Sequence, residues 1–161
     1  MTHTELIESA RKWLWRKCSI VITEMATGGG EEPDAIGWQG TLSTIVECKA
    51  SRSDFLGDAK KHFRIFADAG MGKHRVYCAP KGMIKPHEIP SRWGLIEWSG
   101  KQMRIVVKPE AFPEHNHRKE LELMISALRR TGTYAPSGVS VKVYSYQTQC
   151  RATLSVGPTE Q

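Results

Sequence analysis

The chain has 161 residues, of which 40% are hydrophobic and 25% are charged, a balance typical of a single globular domain with a full core. No apolar run approaches the roughly 20 residues that a membrane span needs, and residues 1–5 do not resemble a secretory signal, so we expect a cytoplasmic protein with no membrane partner. The formal net charge of +6 and the isoelectric point near 9.3 favour a polyanionic partner such as nucleic acid.

The first third of the chain is predicted to contain one helix and three strands. Apolar residues recur at helical spacing over residues 4–17, which predicts an amphipathic helix. The β-branched run 19–25 predicts a strand, and residues 34–38 and 42–49 predict two more, joined by a turn. The glycines at 28–30 lack the following Gly-Lys-Ser/Thr of a phosphate-binding loop, so they predict only a flexible turn at the mouth of a site.

A basic amphipathic helix is predicted to follow the third strand and to run from Ser53 to residue 67. Ser53 is the expected N-cap, and Asp54 lies in the first turn, where the helix dipole favours negative charge. The aromatic and small residues of one face are Phe55, Ala59, Phe63 and Phe66. The cationic residues leave that face, so we expect them to be available to solvent or phosphate; they are Lys60, Lys61 and Arg64.

The second half of the chain predicts three further strands, a last helix and a tail. The strands are expected over residues 74–79, 94–98 and 103–107, and the helix over 113–130. One side of this helix is apolar and carries Leu121, Met124, Ile125 and Leu128. The order of elements predicts an α/β fold in which helices flank a mixed central sheet.

Residues 132–161 are predicted to form a partly mobile tail appended to a domain over residues 1–131. Val141, Val143 and the Tyr144/Tyr146 pair favour an edge strand within this tail, although Gly, Ser and Pro surround them. We expect the tail to be the place where a second copy of the chain or another protein docks. The four cysteines, at 18, 48, 78 and 150, form no CxxC pair and predict reduced, partly buried thiols.

Pro33-Asp34, followed 13 positions later by Glu47-Cys48-Lys49, is the pattern that suggests chemistry. In a strand, residues i and i+2 point to the same face, so Glu47 and Lys49 emerge together, and Asp34 can join them from the neighbouring strand. Two converging carboxylates repel each other unless a cation lies between them, and oxygen ligands suit Mg²⁺ or Mn²⁺. Such an ion can activate water for phosphodiester hydrolysis, and the lysine can orient that water or stabilise developing negative charge.

The stretch from Val46 to Lys61, VECKASRSDFLGDAKK, resembles the signature of the MmcB-like DNA-repair proteins, which are small members of the PD-(D/E)xK nuclease superfamily. In that family an E-[IV]-K-S-S strand end leads into a D-F-x-x-D-x-K helix start. The resemblance covers about residues 4–130. Pro33-Asp34-Ala35 is similar to an R-A-D segment, and Gly94-Leu95-Ile96 to a later strand. Cys48, Ala50 and Pro33 depart from the aliphatic, serine and arginine residues that the family tends to have there.

The resemblance implies a restriction-endonuclease-like core and a metal-dependent nuclease that acts on DNA in repair, processing or mobile-element metabolism. It makes Asp34 and Glu47 metal ligands and Lys49 the catalytic lysine. We also expect the Cys48 carbonyl to be a third oxygen ligand of the ion. Glu24 is implied as an additional acidic group. The residues expected to contact DNA are Ser51, Arg52, Lys60, Lys61 and Arg64, of which Lys60 fits the family pattern best.

Other interpretations of the same residues remain open. Glu47 and Lys49 can be a surface ion pair on an edge strand, which contributes little. The fold can also be a catalytically silent module that binds DNA or a protein, or a nuclease that acts on RNA. Several residues are predicted to have ordinary structural positions: Glu8 and the tripeptide His115-Asn116-His117 on the surface, Asp54 and Asp58 in helix capping and packing, and Trp38 and Trp93 in the core.

Overall fold

The structure is a computed structural model, and it describes the backbone of residues 1–25, 31–131 and 142–145, with side chains except at Phe63, Thr131 and 142–145. The helices are α1 (His3–Trp15), α2 (Arg52–Asp58), α3 (His62–Ile65) and α4 (His117–Thr131). The strands are β1 (Ile20–Thr23), β2 (Ala35–Gln39), β3 (Leu42–Cys48), β4 (His74–Pro80), β5 (Gly94–Trp98), β6 (Met103–Val107) and β7 (Lys142–Ser145). The predictions for the 28–30 turn, the Phe63 side chain, Val141, Tyr146 and the remainder of the tail lie outside the described residues.

The seven strands form one mixed sheet in the order β6-β5-β4-β3-β2-β1-β7. Strands β3, β4 and β5 run parallel, whereas every other neighbouring pair is antiparallel. Parallel neighbours need a crossover connection, and α2 and α3 supply it between β3 and β4. The predicted α/β class with a mixed sheet and flanking helices is confirmed. β3 lies at the centre of the sheet, so its Glu47–Lys49 pair is not on an edge strand.

The sheet separates two apolar clusters. One face of β3 contributes Ile45 to the cluster beneath α2 and α4, and the other contributes Val46 to the cluster beneath α1. This is the alternation that a central strand imposes on its side chains. Helix α1 covers its side with three fully buried residues, Leu6, Ala10 and Leu14, as its spacing predicted.

The basic helix predicted to run to residue 67 is interrupted. Ser51, not Ser53, accepts the hydrogen bond of the Asp54 N–H and caps α2, which ends at Asp58. Lys61 then has an extended backbone, with φ −69° and ψ 139°, before the short α3 begins. Of the predicted apolar face, Phe55 is buried, whereas Ala59 and Phe66 are exposed, Phe66 at 53%. The break turns Arg64 inward, where it meets three carboxylates.

The side of helix α4 that faces the sheet is not the apolar side predicted from the sequence. Leu121, Ile125 and Leu128 are exposed, whereas Glu120, Leu123 and Ala127 are buried. Glu120 accepts hydrogen bonds from the Trp38 Nε1–H, the Ser43 hydroxyl and the Gly72 N–H, and these bonds determine the rotation of the helix. A paired buried carboxylate thus overrides the simple hydrophobic pattern, because an unpaired one is costly.

Strand β7 pairs antiparallel with β1 at the edge of the sheet, as predicted for Val143 and Tyr144. The boundary predicted between residues 131 and 132 stays a prediction. None of the helices within the described ranges is long and apolar enough to cross a membrane.

Candidate active site

The ends of β2 and β3 bring Asp34, Glu47 and Lys49 together. The antiparallel register pairs Ala35 with Val46, so the next opposed pair is Asp34 and Glu47. The Cys48 N–H donates to Asp34 Oδ2 at 2.7 Å, which holds the aspartate against the end of β3. Glu47 and Lys49 point to the same face, with 3.6 Å between Oε2 and Nζ. The convergence predicted from the spacing of these residues is therefore observed.

These three side chains line an open pocket of about 310 Å³. Its rim carries both signs of charge: Glu32 and Asp54 are acidic, and His3 and Lys61 are basic. His3 Nε2 lies 3.3 Å from Asp34 Oδ2. Asp34 is 21% exposed at its side chain, whereas Glu47 and Lys49 are 3% and 4% exposed. Water therefore reaches the aspartate, and the other two groups form the floor of the pocket.

Behind this floor lies a buried network of three acids and two bases. Lys49 Nζ is 2.9 Å from Asp58 Oδ1, and the Arg64 Nε–H donates to Asp58 Oδ2 at 2.6 Å. Arg64 also lies 3.0 Å from Glu47 Oε1 and donates to Glu31 Oε1 at 2.8 Å. No member of the network has a side chain more than 4% exposed. Buried charges need such partners, because desolvation of a lone charge costs several kcal/mol.

The network shifts the pKa values of its members in opposite directions. Burial raises the pKa of Glu47 to about 7; Arg64 and Lys49 oppose this rise, while Asp34 and Asp58 add to it. Burial also acts to raise the pKa of Asp58, but Arg64, Lys49 and the Tyr77 hydroxyl hold it well below its usual range. For Lys49, burial is outweighed by Glu47 and Asp58, which raise its pKa and keep it protonated. A carboxyl with a pKa near neutrality in a pocket is a feature of functional sites.

Arg64 does not have the position predicted for it. Its side chain is 4% exposed and its guanidinium lies over the Trp93 ring, 4.6 Å from the ring centroid. The three carboxylates around it compensate its charge inside the protein, so in this structure it does not present itself to a phosphate. Its role is to hold Glu47, Glu31 and Asp58 in place.

Asp58, Glu31 and Tyr77 complete the site, and the sequence analysis did not assign them to it. The Tyr77 O–H donates to Asp58 Oδ2 at 2.7 Å, and Tyr77 is the β4 residue that pairs with Glu47 across the parallel strands. Asp58 matches the prediction of a packing carboxylate, and it also orients the catalytic lysine candidate. No local pattern reveals this, because Asp58 meets its partners from three separate elements.

The remaining residues predicted to contact DNA lie on the surface beside the pocket. Lys61 lines the pocket rim, and its Nζ is 3.0 Å from Asp58 Oδ1. Lys60 is exposed on the segment that follows α2. Arg52 forms an ion pair with Glu88, and Ser51 is used as the α2 cap. Their contact with phosphate stays a prediction.

Two further glutamates occupy positions outside the pocket. Glu24 follows β1 with a positive φ of 55°, and its N–H donates to the Asp34 carbonyl at 3.2 Å. Its side chain is not among those that line the pocket, although its backbone supports the aspartate. Glu8 is 44% exposed and pairs with Arg11 and Lys12 on the surface of α1. The prediction of a solvated Glu8 is confirmed.

The tryptophans and cysteines have the structural positions predicted for them. Trp38 and Trp93 are each 5% exposed, and Trp93 stacks on Tyr77 with ring centroids 4.5 Å apart. Neither ring is available to stack on a base. The cysteines at 18, 48 and 78 are free and buried, and Cys150 lies outside the described residues.

The prediction that the His115-Asn116-His117 tripeptide lies on the surface is wrong for His115. Its side chain is 3% exposed, and its ring centroid is 3.7 Å from that of the exposed His117. His115, His117 and Glu120 each place a possible metal-ligand atom within 4.8 Å of the other two. Within the described residues, this is the group of histidine, cysteine and acidic side chains that lies close enough together to hold a metal ion. Helix α4 begins at His117, and Asn116 Oδ1 accepts the Lys119 N–H in its first turn, while His115 lies before the helix and is buried.

No family model matches the chain, and no curated protein sequence matches it. A solved protein of unknown function from Silicibacter pomeroyi is similar in structure, with a TM-score of 0.61 at 20% sequence identity. The similarity covers 81% of this chain and 90% of that one. At this level of identity it supports the α/β fold and carries no statement about activity.

Proposed function

We propose that the protein is a metal-dependent nuclease of the PD-(D/E)xK type that hydrolyses DNA phosphodiester bonds. The observation that carries the proposal is the meeting of Asp34, Glu47 and Lys49 in one open pocket at the ends of two neighbouring strands. Two acids and an ammonium group at this position match the requirements of phosphodiester hydrolysis. The resemblance of residues 46–61 to the MmcB-like proteins supports a DNA substrate and a place in DNA repair or processing.

The donor set fits Mg²⁺ or Mn²⁺. Asp34 and Glu47 supply carboxylate oxygens, and the Cys48 backbone at the same strand end supplies a carbonyl. Hard oxygen ligands beside an open, water-accessible pocket are what these ions prefer. Burial raises the pKa of Glu47, Asp34 adds to this rise, and a divalent ion between the two acids would favour the carboxylate form. A divalent ion held there neutralises phosphate charge and acidifies water.

Lys49 is the residue that contacts the reacting phosphate in this proposal. Its pKa is raised, so it is a protonated donor at neutral pH, and Asp58 holds its Nζ at 2.9 Å. A fixed ammonium group in a pocket stabilises negative charge that develops during the reaction. Lys61 at the rim, with Lys60 and Arg52 nearby, provides positive charge for the nucleic-acid backbone.

The test is cleavage of single-stranded, duplex, nicked and branched DNA with Mg²⁺ or Mn²⁺. Asp34→Asn keeps the volume and an acceptor for the Cys48 N–H but removes the charge, and Lys49→Met keeps the aliphatic stem. Each is expected to lower the rate by a factor on the order of 10²–10³. Asp68→Ala, which removes an exposed carboxylate outside the pocket, is the matched control and is expected to cleave normally.

Urea unfolding of each variant separates loss of chemistry from loss of the fold. Cleavage that survives both Asp34→Asn and Lys49→Met contradicts the proposal. The same measurements on RNA of matched sequence distinguish a deoxyribonuclease from an RNA-directed enzyme.

A second candidate function is a catalytically silent module that binds DNA. The observation that favours it is the pairing of Glu47, whose two oxygens already face Arg64 at 3.0 Å and Lys49 at 3.6 Å. A carboxylate compensated in this way does not require a cation. DNA affinity that is unchanged in EDTA, together with no cleavage of any of the substrates above, supports this alternative over the enzyme.

A further inference from the structure

A cluster of two histidines and a glutamate lies at the start of α4, apart from the residues that line the strand-end pocket. His115 Nε2 is 3.6 Å from Glu120 Oε1, and the exposed His117 ring lies against the His115 ring. All three residues place a ligand atom within 4.8 Å of the other two. Imidazole nitrogen and carboxylate oxygen together are a donor set that Zn²⁺ and related transition metals accept.

His115 is the unusual member of the cluster. Its side chain is 3% exposed, yet neither ring nitrogen has a hydrogen-bond partner within the described part of the chain. A buried polar atom left unpaired costs about 1–3 kcal/mol, and native proteins rarely keep two on one ring. The nearest acceptor, Glu120 Oε1, is too far away at 3.6 Å for a hydrogen bond. A ligand that occupies one nitrogen explains why the ring is placed there.

The distances fit a metal ion better than a hydrogen bond. Zinc bonds to nitrogen and oxygen of about 2.0–2.2 Å in a tetrahedral arrangement place neighbouring ligand atoms roughly 3.4 Å apart. The observed 3.6 Å between His115 and Glu120 is close to that separation. The exposed His117 side chain can rotate to close the remaining gap, because it is not packed in the core.

Glu120 retains capacity for a metal although it is well bonded. Its Oε1 already accepts from the Ser43 hydroxyl and the Gly72 N–H, each at 2.8 Å. Among the described residues its Oε2 accepts the Trp38 Nε1–H alone, at 3.2 Å, so Oε2 is the oxygen with an open lone pair for the ion. A carboxylate offers about four lone-pair sites. These bonds also orient the carboxylate in the way that partners of a metal ligand do.

We infer that His115, His117 and Glu120 bind a transition-metal ion of the Zn²⁺ class, at a site separate from the Mg²⁺ or Mn²⁺ site proposed between Asp34 and Glu47. With three protein ligands, at least one coordination position is left for water. All three ligands lie within residues 115–120, so the bound ion fixes the first turn of α4. That turn is hydrogen-bonded to the segment before β4, since Glu120 accepts the Gly72 N–H and the Asn116 N–H donates to the Gly70 carbonyl. The ion therefore stabilises the docking of α4 on the sheet.

The first measurement is titration of the metal-free protein with Zn²⁺ by calorimetry, in excess Mg²⁺ to occupy the carboxylate pocket. One Zn²⁺ per chain is expected, and Co²⁺ in its place is expected to give the visible absorption bands of a tetrahedral site. His117→Ala keeps the fold, because alanine is the best helix former at an exposed position. It is expected to weaken Zn²⁺ binding by about tenfold or more, which is about 1.4 kcal/mol or more.

Two variants control for other donors. His87→Ala removes an exposed histidine of another segment and is expected to leave Zn²⁺ affinity unchanged. Cys150→Ser removes a thiol outside the described residues and is also expected to leave it unchanged. Zn²⁺ at the same concentration is further expected to raise the melting temperature of the natural chain more than that of His117→Ala, since tighter binding to the folded state stabilises it more.

The inference is overturned if the natural chain binds no Zn²⁺, or if His117→Ala binds it as tightly as the natural chain. Binding lost in Cys150→Ser and kept in His117→Ala overturns it as well, because the thiol is then the ligand. None of these results depends on nuclease activity, so the failure of this site and the failure of the proposed function are distinguishable.

Discussion

Glu47 is expected to make the protein less stable as the pH rises towards neutrality when no divalent cation is present. Its carboxyl is 3% exposed, and burial raises its pKa from the ordinary value of 4.5 to about 7. Between these two values the folded protein binds a proton that the unfolded chain does not. The free energy of unfolding therefore falls by about 1.4 kcal/mol for each pH increment of one. Over the whole interval the loss is about 3 kcal/mol.

The variant that tests this reasoning is Glu47→Gln, which keeps the shape of the side chain and does not titrate. Urea unfolding of both proteins in EDTA, at several values between about pH 5 and pH 8, gives the difference in stability as a function of pH. Groups common to both proteins cancel in this difference. We expect the natural chain to lose about 3 kcal/mol relative to Glu47→Gln across the range. A difference that stays constant within about 0.5 kcal/mol refutes the argument.

Repeating the measurement with Mg²⁺ tests the proposed metal site separately. A cation bound by Asp34 and Glu47 favours the carboxylate form, so the pH dependence of the natural chain is expected to shrink. If the pH dependence is present in EDTA and is unchanged by Mg²⁺, the effect of burial on Glu47 is supported and the proposed metal site is refuted.

Two predictions concern the packing around the site. Asp58→Asn removes the negative charge that Lys49 and Arg64 share at Asp58, while both cations stay buried. The free energy of unfolding in urea should therefore fall by about 3–5 kcal/mol, and a fall below about 1 kcal/mol contradicts the network. Gly37→Ala places a methyl group 2.8 Å from Cys18 Sγ and 3.0 Å from its Cβ, so a loss of about 1–3 kcal/mol is expected by the same method. Gly57→Ala, with nothing within 4 Å in α2, is the control and should be neutral or stabilising by up to about 1 kcal/mol.

The chemical core of the site could be predicted because it depends on short-range geometry. Glu47 and Lys49 share a face since they are two residues apart in one strand, and Asp34 opposes Glu47 since a tight turn joins β2 to β3. The network behind them could not be predicted in the same way. Arg64 has the spacing of a surface residue, and only the break after Asp58 directs it inward.

Helix α4 shows the same limit. Its apolar stripe is real in the sequence, yet Leu121 and Leu128 are exposed because Glu120 faces the sheet and accepts hydrogen bonds there. A prediction from hydrophobic periodicity uses only the polarity of each side chain. It does not include hydrogen-bond partners that are distant in the sequence. The surface position predicted for His115 is wrong for a related reason. A histidine before a helix is ordinarily solvated, and its burial here depends on tertiary packing.

Local sequence patterns were enough to predict the α/β class, most of the strands and the convergence of Asp34, Glu47 and Lys49, because these follow from alternation, turn length and β-branched runs. They did not predict which charges are buried together, how α4 is rotated, or that His115 lies beside Glu120. Those features depend on contacts between residues distant in the chain, and their energies are set by desolvation and pairing, which no local pattern records.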